Sequence, residues 1–170
     1  MTKKVFTVLL LLVGVVQGIR AQKSTFYVVL SSDNTIATYY YDDEKVNRGG
    51  IFFNDYVSKG GKKDVTTIVL DKSLANYATS SVKDWFSDHY KLIAIKGMEY
   101  LNTSNVKDMY NMFNDCSSLT SLDLSSFDTS NVTKMGRMFC SCRSLTSLDL
   151  SSFNTSKVTD MYYCSKAAVP

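Results

Sequence analysis

The sequence has few of the residues that most often carry catalysis or bind metals. Its 170 residues include one histidine, His89, and four cysteines. His89 stands in the stretch WFSDHYKL. No serine of the chain is flanked by the residues of a nucleophile elbow, so His89 has no evident serine nucleophile to activate. Cys140 and Cys142 form CSC, which lacks the C-x-x-C spacing of zinc and redox motifs. We therefore predict no catalytic residue, no metal site and no cofactor, and interpret His89 as a structural or surface residue.

Long apolar runs are also scarce. The run VFTVLLLLVGVV over residues 5–16 is shorter than the about 20 residues that a membrane-spanning helix needs. Lys3 and Lys4 precede this run and the small residue Ala21 follows it, which is the order of a cleaved secretory signal. We predict cleavage after Ala21, no membrane span in the mature chain, and a location outside the cell, on its surface or in the periplasm.

Positive and negative side chains are balanced in the chain that follows the predicted signal. The whole chain has 19 Lys+Arg and 16 Asp+Glu, but residues 1–21 hold three of the basic side chains and no acidic one. The remainder therefore has 16 side chains of each sign. A nearly neutral chain gives no electrostatic reason to expect a nucleic-acid partner.

Residues 22–92 have the composition of a small β-rich unit. STFYVVL and TIATYYYD are rich in β-branched and aromatic residues and flank SSDN, which predicts a hairpin. VTTIVLD at residues 65–71 predicts another strand, and KGGKK predicts a charged loop. The apolar residues of SVKDWFSDHYKLIAI, residues 81–95, have helical spacing. We predict that residues 22–92 form an N-terminal cap.

The second half of the chain is periodic. TSNVKDMYNMFNDCSSLTSLDLSSFD begins at Thr103, and a near copy begins 26 residues later at Thr129, with a partial third copy from Thr155. Each copy has an apolar stripe at helical spacing, with Thr103 or Ser104 as the N-cap of the first, followed by the alternating segment LTSLDLSS. A period in the twenties with L-x-x-L-x-L is typical of leucine-rich repeats.

Stacking of such copies would bury faces that one repeat cannot bury alone. We therefore predict an α+β fold, a short leucine-rich-repeat-like solenoid of about 2.5–3 repeats over residues 93–164. The β-rich cap would protect its first repeat, and residues 165–170 would form an irregular tail.

The stretch EYLNTSNVKDMYNMFNDCSSLTSLDLSSFDTSNV resembles the BspA-like leucine-rich repeat surface proteins. The resemblance extends upstream through VTTIVLDKSLA and covers most of residues 25–164. It implies a right-handed solenoid with strands on one face, a bacterial protein exported or held at the cell surface and linked to attachment, and no catalytic residues. The third copy departs from the pattern, because Ser165 and Ala168 stand where Phe and Cys are expected.

One face of the predicted repeats carries two copies of an Asp–Ser pattern. Neighbouring strands lie about 4.8 Å apart, so Asp123 would stand over Asp149. These carboxylates could simply face water, share a cation, or contact a basic partner. We select this face as the candidate partner-binding face, and its residues are Ser121, Asp123, Ser125, Ser147, Asp149 and Ser151.

The cysteines permit two interpretations. Cys116 and Cys142 occupy the same place in successive copies and could be within disulfide reach, which would leave Cys140 to pair with Cys164. Alternatively, all four are small buried apolar groups.

We predict a secreted or surface-exposed, adhesin-like interaction module that binds an extracellular host or microbial protein or glycan. One alternative is a truncated or degenerate repeat protein with a structural role, which self-associates through the open last repeat near Met161. A third is an enzyme within residues 25–92 that depends on His89 or Asp88.

Overall fold

The computed structural model of the chain describes residues 24–58 and 62–163, and its regular elements form one small sheet with short helices. The predicted signal and the irregular tail lie outside the described residues. The elements are strands β1 (Thr25–Leu30), β2 (Ile36–Asp42), β3 (Ile51–Phe52), β4 (Thr67–Leu70) and β5 (Ala94–Lys96), helix α1 (Phe53–Ser58), and 3-10 helices at Lys72–Asn76 and Met98–Tyr100.

The five strands pair in the order β3-β1-β2-β4-β5. The two pairings of β1 are antiparallel, and β4 runs parallel to both of its neighbours. The predicted hairpin is confirmed: β1 and β2 pair with Val28 opposite Tyr39, and both side chains are buried. Asp33 closes its turn, because its Oδ1 accepts from the Thr35 amide at 3.1 Å and the Ser31 hydroxyl at 2.6 Å. The predicted third strand is present as β4.

The predicted fold class is wrong. Among the described residues, the six-residue α1 is the only α-helix, and no strand follows β5. The segments that we expected to be helical, residues 81–95 and the apolar stripe after Thr103, consist mostly of turns. LTSLDLSS is likewise outside any strand. The architecture is a small mixed sheet followed by repeated turns, and not a leucine-rich-repeat solenoid of helices and strands.

Left-handed residues explain why no helix forms. An α-helix needs φ near −63° at every residue, but Asn111 and Asp115 have φ of 58° and 60°. Asn and Asp tolerate this conformation because their short side chains can bond locally. Four-residue turns around these residues close through a bond from an amide to the carbonyl three residues earlier, such as the Met112 amide to the Met109 carbonyl at 3.2 Å and the Asn114 amide to the Asn111 carbonyl at 3.0 Å. The same interruption occurs upstream at Asp84 and Asp88.

These turn segments lie beside one another as rungs. We define rung 1 as residues 81–90, rung 2 as 107–116, rung 3 as 133–142 and rung 4 as 159–163. Alternate amides of rungs 1, 2 and 3 donate to carbonyls of the following rung, and single parallel bridges connect all four. Four amides of rung 2 donate to carbonyls of rung 3: Met109 to Lys134 (2.9 Å), Asn111 to Gly136 (3.0 Å), Phe113 to Met138 (2.9 Å) and Asp115 to Cys140 (2.8 Å).

Rung 1 is part of this stack, although its sequence is not a close copy of the repeat. The Phe86 amide bonds to the Met112 carbonyl at 3.0 Å, as Phe113 bonds to Met138, so Phe86 is the equivalent of Phe113. By the same register, His89 occupies the position of Cys116. The apolar periodicity of residues 81–95 therefore marks the buried side of a rung, and not of a helix.

The apolar stripe predicted to be core is buried in rungs 2 and 3. The Phe113 ring lies between Phe86, at a centroid distance of 5.3 Å, and Phe139, at 5.6 Å. One continuous hydrophobic core runs from the sheet into these rungs. Met161 differs from the other methionines of the stripe, because it is 51% exposed whereas Met109, Met112, Met135 and Met138 are buried. The division at residue 92 between cap and repeats stays a prediction.

Thr103 has a different role from the predicted helix cap. Its side chain is buried, and its hydroxyl oxygen accepts at 2.8 Å from the amide of Asp128, the last residue of the same copy. Thr129 accepts from Asn154 at the same distance. Thr103 and Thr129 therefore each bond to the last residue of the copy that they begin, which places the start of one copy beside the start of the next.

Candidate binding surfaces

The predicted Asp–Ser face is present on the surface, although not on strands. Asp123 and Asp149 are exposed, and each Oδ1 accepts from an amide two residues later, at 2.9 Å from Ser125 and 2.8 Å from Ser151. Both carboxylates line an open groove of about 250 Å³, together with Leu122, Leu124 and three serines. We call it the Asp–Ser groove.

The carboxylates of the Asp–Ser groove favour the charged state. Hydrogen bonds from the Ser125 hydroxyl and amide lower the pKa of Asp123, and Ser151 lowers the pKa of Asp149 in the same way. Both groups are therefore ionised at neutral pH. Their oxygens can accept hydrogen bonds from a cationic or hydroxyl-bearing partner.

The cysteines of the rungs are free thiols in the part of the chain that the structure describes. Cys116 donates to the Phe86 carbonyl and Cys142 to the Phe113 carbonyl, both at 3.0 Å, so each thiol bonds to the preceding rung. Of the two interpretations, the structure has these two cysteines as buried thiols and not as a disulfide. Burial raises the pKa of Cys142 to about 12 and that of Cys116 well above its usual value. Cys164, the proposed partner of Cys140, lies outside the described residues.

A larger pocket, of about 460 Å³, lies where the first two rungs meet the segment after α1, and sequence reasoning missed it. Of the two lysines that line it, Lys62 is only 7% exposed. The Lys62 ammonium donates to the Ser87 carbonyl at 2.8 Å and the Ser87 hydroxyl at 3.3 Å, and lies 3.7 Å from Asp88 Oδ2. We call it the Lys62 pocket; its other polar lining includes Lys63, Asp84, Tyr90, Asn111 and Asn114.

Two groups in the Lys62 pocket have unusual surroundings. Burial lowers the pKa of Lys62, and the charge of Asp88 opposes that shift. The Oδ1 atom of Asn111 is buried and has no hydrogen-bond donor among the described residues. A buried acceptor without a donor costs about 1–3 kcal/mol. Two features of the sequence could have indicated this pocket. One is the set of Asn and Asp residues that take the left-handed conformation in the rungs, and the other is Lys62, which was interpreted only as part of the charged loop KGGKK.

His89 is a structural residue and does not line either surface. It is fully buried, with Nδ1 2.8 Å from the Phe86 carbonyl and Nε2 2.7 Å from the Tyr56 hydroxyl. A neutral ring that donates from Nδ1 and accepts from Tyr56 satisfies both contacts. Burial lowers the pKa of His89 to about 4, and the nearby charge of Lys62 adds to this shift.

No group of three or more His, Cys, Asp or Glu side chains is arranged to hold a metal ion within residues 24–58 and 62–163. Over the same residues, no helix has the length and apolar character that crossing a membrane requires.

The stacked rungs, with their 26-residue sequence period, define the chain as a repeat protein. The sequence profile of a family described as "Mycoplasma protein of unknown function, DUF285" matches residues 62–169, which is more than half of the chain. The chain belongs to this family. The match begins at Lys62 and spans all four rungs. No curated protein and no solved structure matches the chain.

Proposed function

We propose that this chain is an exported, noncatalytic interaction module, similar to the BspA-like surface proteins in being secreted or exposed at the cell surface. The hydrophobic leader of residues 1–21 supports export. Membership of a Mycoplasma family of repeat-bearing chains is compatible with a surface protein. Its partner would be an extracellular protein or glycan.

The observation that carries this proposal is the repeated surface of the Asp–Ser groove. Two successive repeats present the same exposed carboxylate and hydroxyl groups beside the partly buried Leu122. Repeat proteins use such extended, repeated surfaces for binding. A partner with basic or hydroxyl groups would complement the two ionised carboxylates, and its apolar part would cover Leu122.

Charge reversal in the groove tests this proposal. We expect the double variant Asp123→Lys/Asp149→Lys to lose at least about tenfold in affinity for its partner, because two attractive charges become repulsive. The measurement is surface plasmon resonance with purified extracellular-matrix proteins and mucin immobilised as probes. Asp123→Asn/Asp149→Asn keeps the acceptor that each turn needs, so it should lose less.

Asp128→Lys is the matched control, because Asp128 is an exposed carboxylate that caps an Asx turn through Ser130 but does not line the groove. An equal loss in this control would show nonspecific charge attraction and contradict the proposal. Absence of saturable binding to every probe, together with a multimeric mass that Tyr162→Ser reduces, would favour the self-assembly alternative. Tyr162 is 64% exposed and stands beside Met161, which makes rung 4 the apolar end for such contacts.

A further inference from the structure

A further pocket, of about 370 Å³, lies where the sheet meets rung 1, and it differs from the Lys62 pocket in being mostly aromatic. Its volume is in the range of pockets that hold small organic ligands. Five of its eight lining residues are aromatic, and they come from β1, β3, α1, the segment after the first 3-10 helix and rung 1: Phe26, Phe52, Phe53, Tyr77 and Trp85. We call it the aromatic pocket.

The aromatic side chains of this pocket form a connected cluster that stays in contact with water. The Phe26 ring is stacked on three others, at centroid distances of 4.7 Å from Phe53 and Trp85 and 4.9 Å from Tyr77. Trp85 is buried, whereas the other four rings keep contact with solvent, most of all Phe52, which is 52% exposed. A contiguous apolar surface that remains open to solvent is typical of an interaction site.

The polar residues of the aromatic pocket supply a positive charge and hydrogen-bond donors. They are Asn54, Ser81 and Lys83, and no acidic side chain is among the described residues that line the pocket. Lys83 is exposed and forms no ion pair with a described residue; its ammonium lies 5.4 Å from the centroid of the Tyr110 ring. The Ser81 hydroxyl accepts from the Lys83 amide at 3.3 Å, so its own proton is available to a ligand.

A second positive charge lies beside the same aromatic surface, because Lys45 Nζ is 4.0 Å from the centroid of the Phe52 ring. Asp84, the residue after Lys83, lines the Lys62 pocket instead. A cationic ligand would therefore be repelled by both lysines. A ligand without an acceptor group would take water from the Lys83 ammonium and the Asn54 carboxamide without replacing its hydrogen bonds. The ligand that complements both parts of the pocket has an aromatic ring and an anionic group.

We infer that the aromatic pocket binds an aromatic carboxylate. The ring of this ligand would pack against the partly exposed aromatic side chains, and its carboxylate would accept from Lys83, with Asn54 and Ser81 as further donors. The same chemical group occurs in free aromatic acids and at the C-terminus of a peptide that ends in phenylalanine. This inference goes beyond the proposed function, because it assigns a second site, with a different ligand chemistry, to β1, β3 and rung 1.

Trp85 provides a direct readout of binding, because it is the only tryptophan of the chain and it lines the aromatic pocket. Titration of the full chain with phenylpropionate should change its fluorescence saturably, with a Kd of about 1 mM. Phenylpropanol, the matched alcohol without the charge, should bind at least about fivefold more weakly. The peptide Gly-Gly-Phe with a free C-terminus distinguishes the two sources of the ligand. Tighter binding than that of phenylpropionate would indicate a peptide end, and weaker binding a free aromatic acid.

Lys83→Gln isolates the contribution of the charge. It should weaken the binding of phenylpropionate at least about fivefold and leave that of phenylpropanol unchanged, so that the preference for the acid is largely lost. Lys134→Gln is the matched control and should have no effect, because Lys134 is exposed in rung 3 and does not line the pocket.

Phe52→Ala isolates the contribution of the aromatic surface. It should weaken the binding of both phenylpropionate and phenylpropanol, because it removes a ring that both ligands contact. Tyr90→Ala is its control and should weaken neither, because Tyr90 has a similar exposure, 55%, but lies outside the aromatic pocket. The side chains replaced in these four variants are exposed, so the fold should be retained.

The inference is overturned if neither phenylpropionate nor Gly-Gly-Phe changes the fluorescence saturably up to about 20 mM, or if phenylpropanol binds as tightly as the acid. Equal weakening by Lys83→Gln and Lys134→Gln would also overturn it, because the attraction would then be nonspecific. Preferential binding of phenethylamine would do the same, and would indicate an aromatic site for cations instead.

Discussion

Replacing Phe113 with alanine is expected to lower the free energy of unfolding by about 3–5 kcal/mol. The Phe113 ring is fully buried between the rings of Phe86 and Phe139, so its removal opens a cavity between rungs 1 and 3. It also removes two stacked aromatic contacts. Urea unfolding followed by circular dichroism measures the loss.

Phe52→Ala is the control for this experiment, because Phe52 is 52% exposed on the edge strand β3. It should cost less than about 1 kcal/mol. Phe113→Leu retains much of the apolar volume and should fall between the two, which keeps the comparison informative if the alanine variant fails to fold. Equal, small losses for Phe113→Ala and Phe52→Ala would contradict a core that runs through the rungs.

Lowering the pH from 7 to 4 is expected to remove about 3 kcal/mol of stability through His89 alone. The pKa of His89 is about 4 in the folded chain and 6.5 for an unburied histidine. Between these values the unfolded chain takes up a proton that the folded chain does not, so unfolding becomes more favourable as the pH falls. Chemical denaturation at a series of pH values from 7 to 4 measures the slope.

The variant His89→Gln isolates this effect, because the chain has no other histidine. Its stability should be nearly constant between pH 6.5 and 4.5, even if it is lower at neutral pH. The carboxylates whose pKa values are lowered, such as Asp123, lose their contribution only below about pH 4. An unchanged slope in His89→Gln would show that the buried ring beside Tyr56 is not the cause.

The sequence predicted which residues are buried better than it predicted the backbone that buries them. Alternation and turn residues identified the hairpin of β1 and β2, and the stripe that includes Phe113 is in the core. The same stripe suggested a helix, because repeated four-residue turns also bring every third or fourth side chain to one side. The evidence against a helix was the Asn and Asp residues at positions such as Asn111 and Asp115, which interrupt it with positive φ.

The two binding surfaces differ in how far the sequence could reveal them. Asp123 and Asp149 are exposed as predicted, since short Asx turns keep their side chains on the surface without a strand. Whether a partner binds there stays a prediction. The Lys62 pocket was not predictable, because it needs the rung register that brings Asn111 beside residues of rung 1 and Lys62.

The most direct test of the rung architecture is the scalar coupling across individual hydrogen bonds, measured by NMR on the labelled chain. The stacked rungs predict a coupling between the Phe113 amide nitrogen and the Met138 carbonyl carbon, which belong to successive repeats and form a bond of 2.9 Å. A coupling of that nitrogen to the carbonyl carbon of Met109 would instead show the i→i−4 bond of an α-helix and contradict the account.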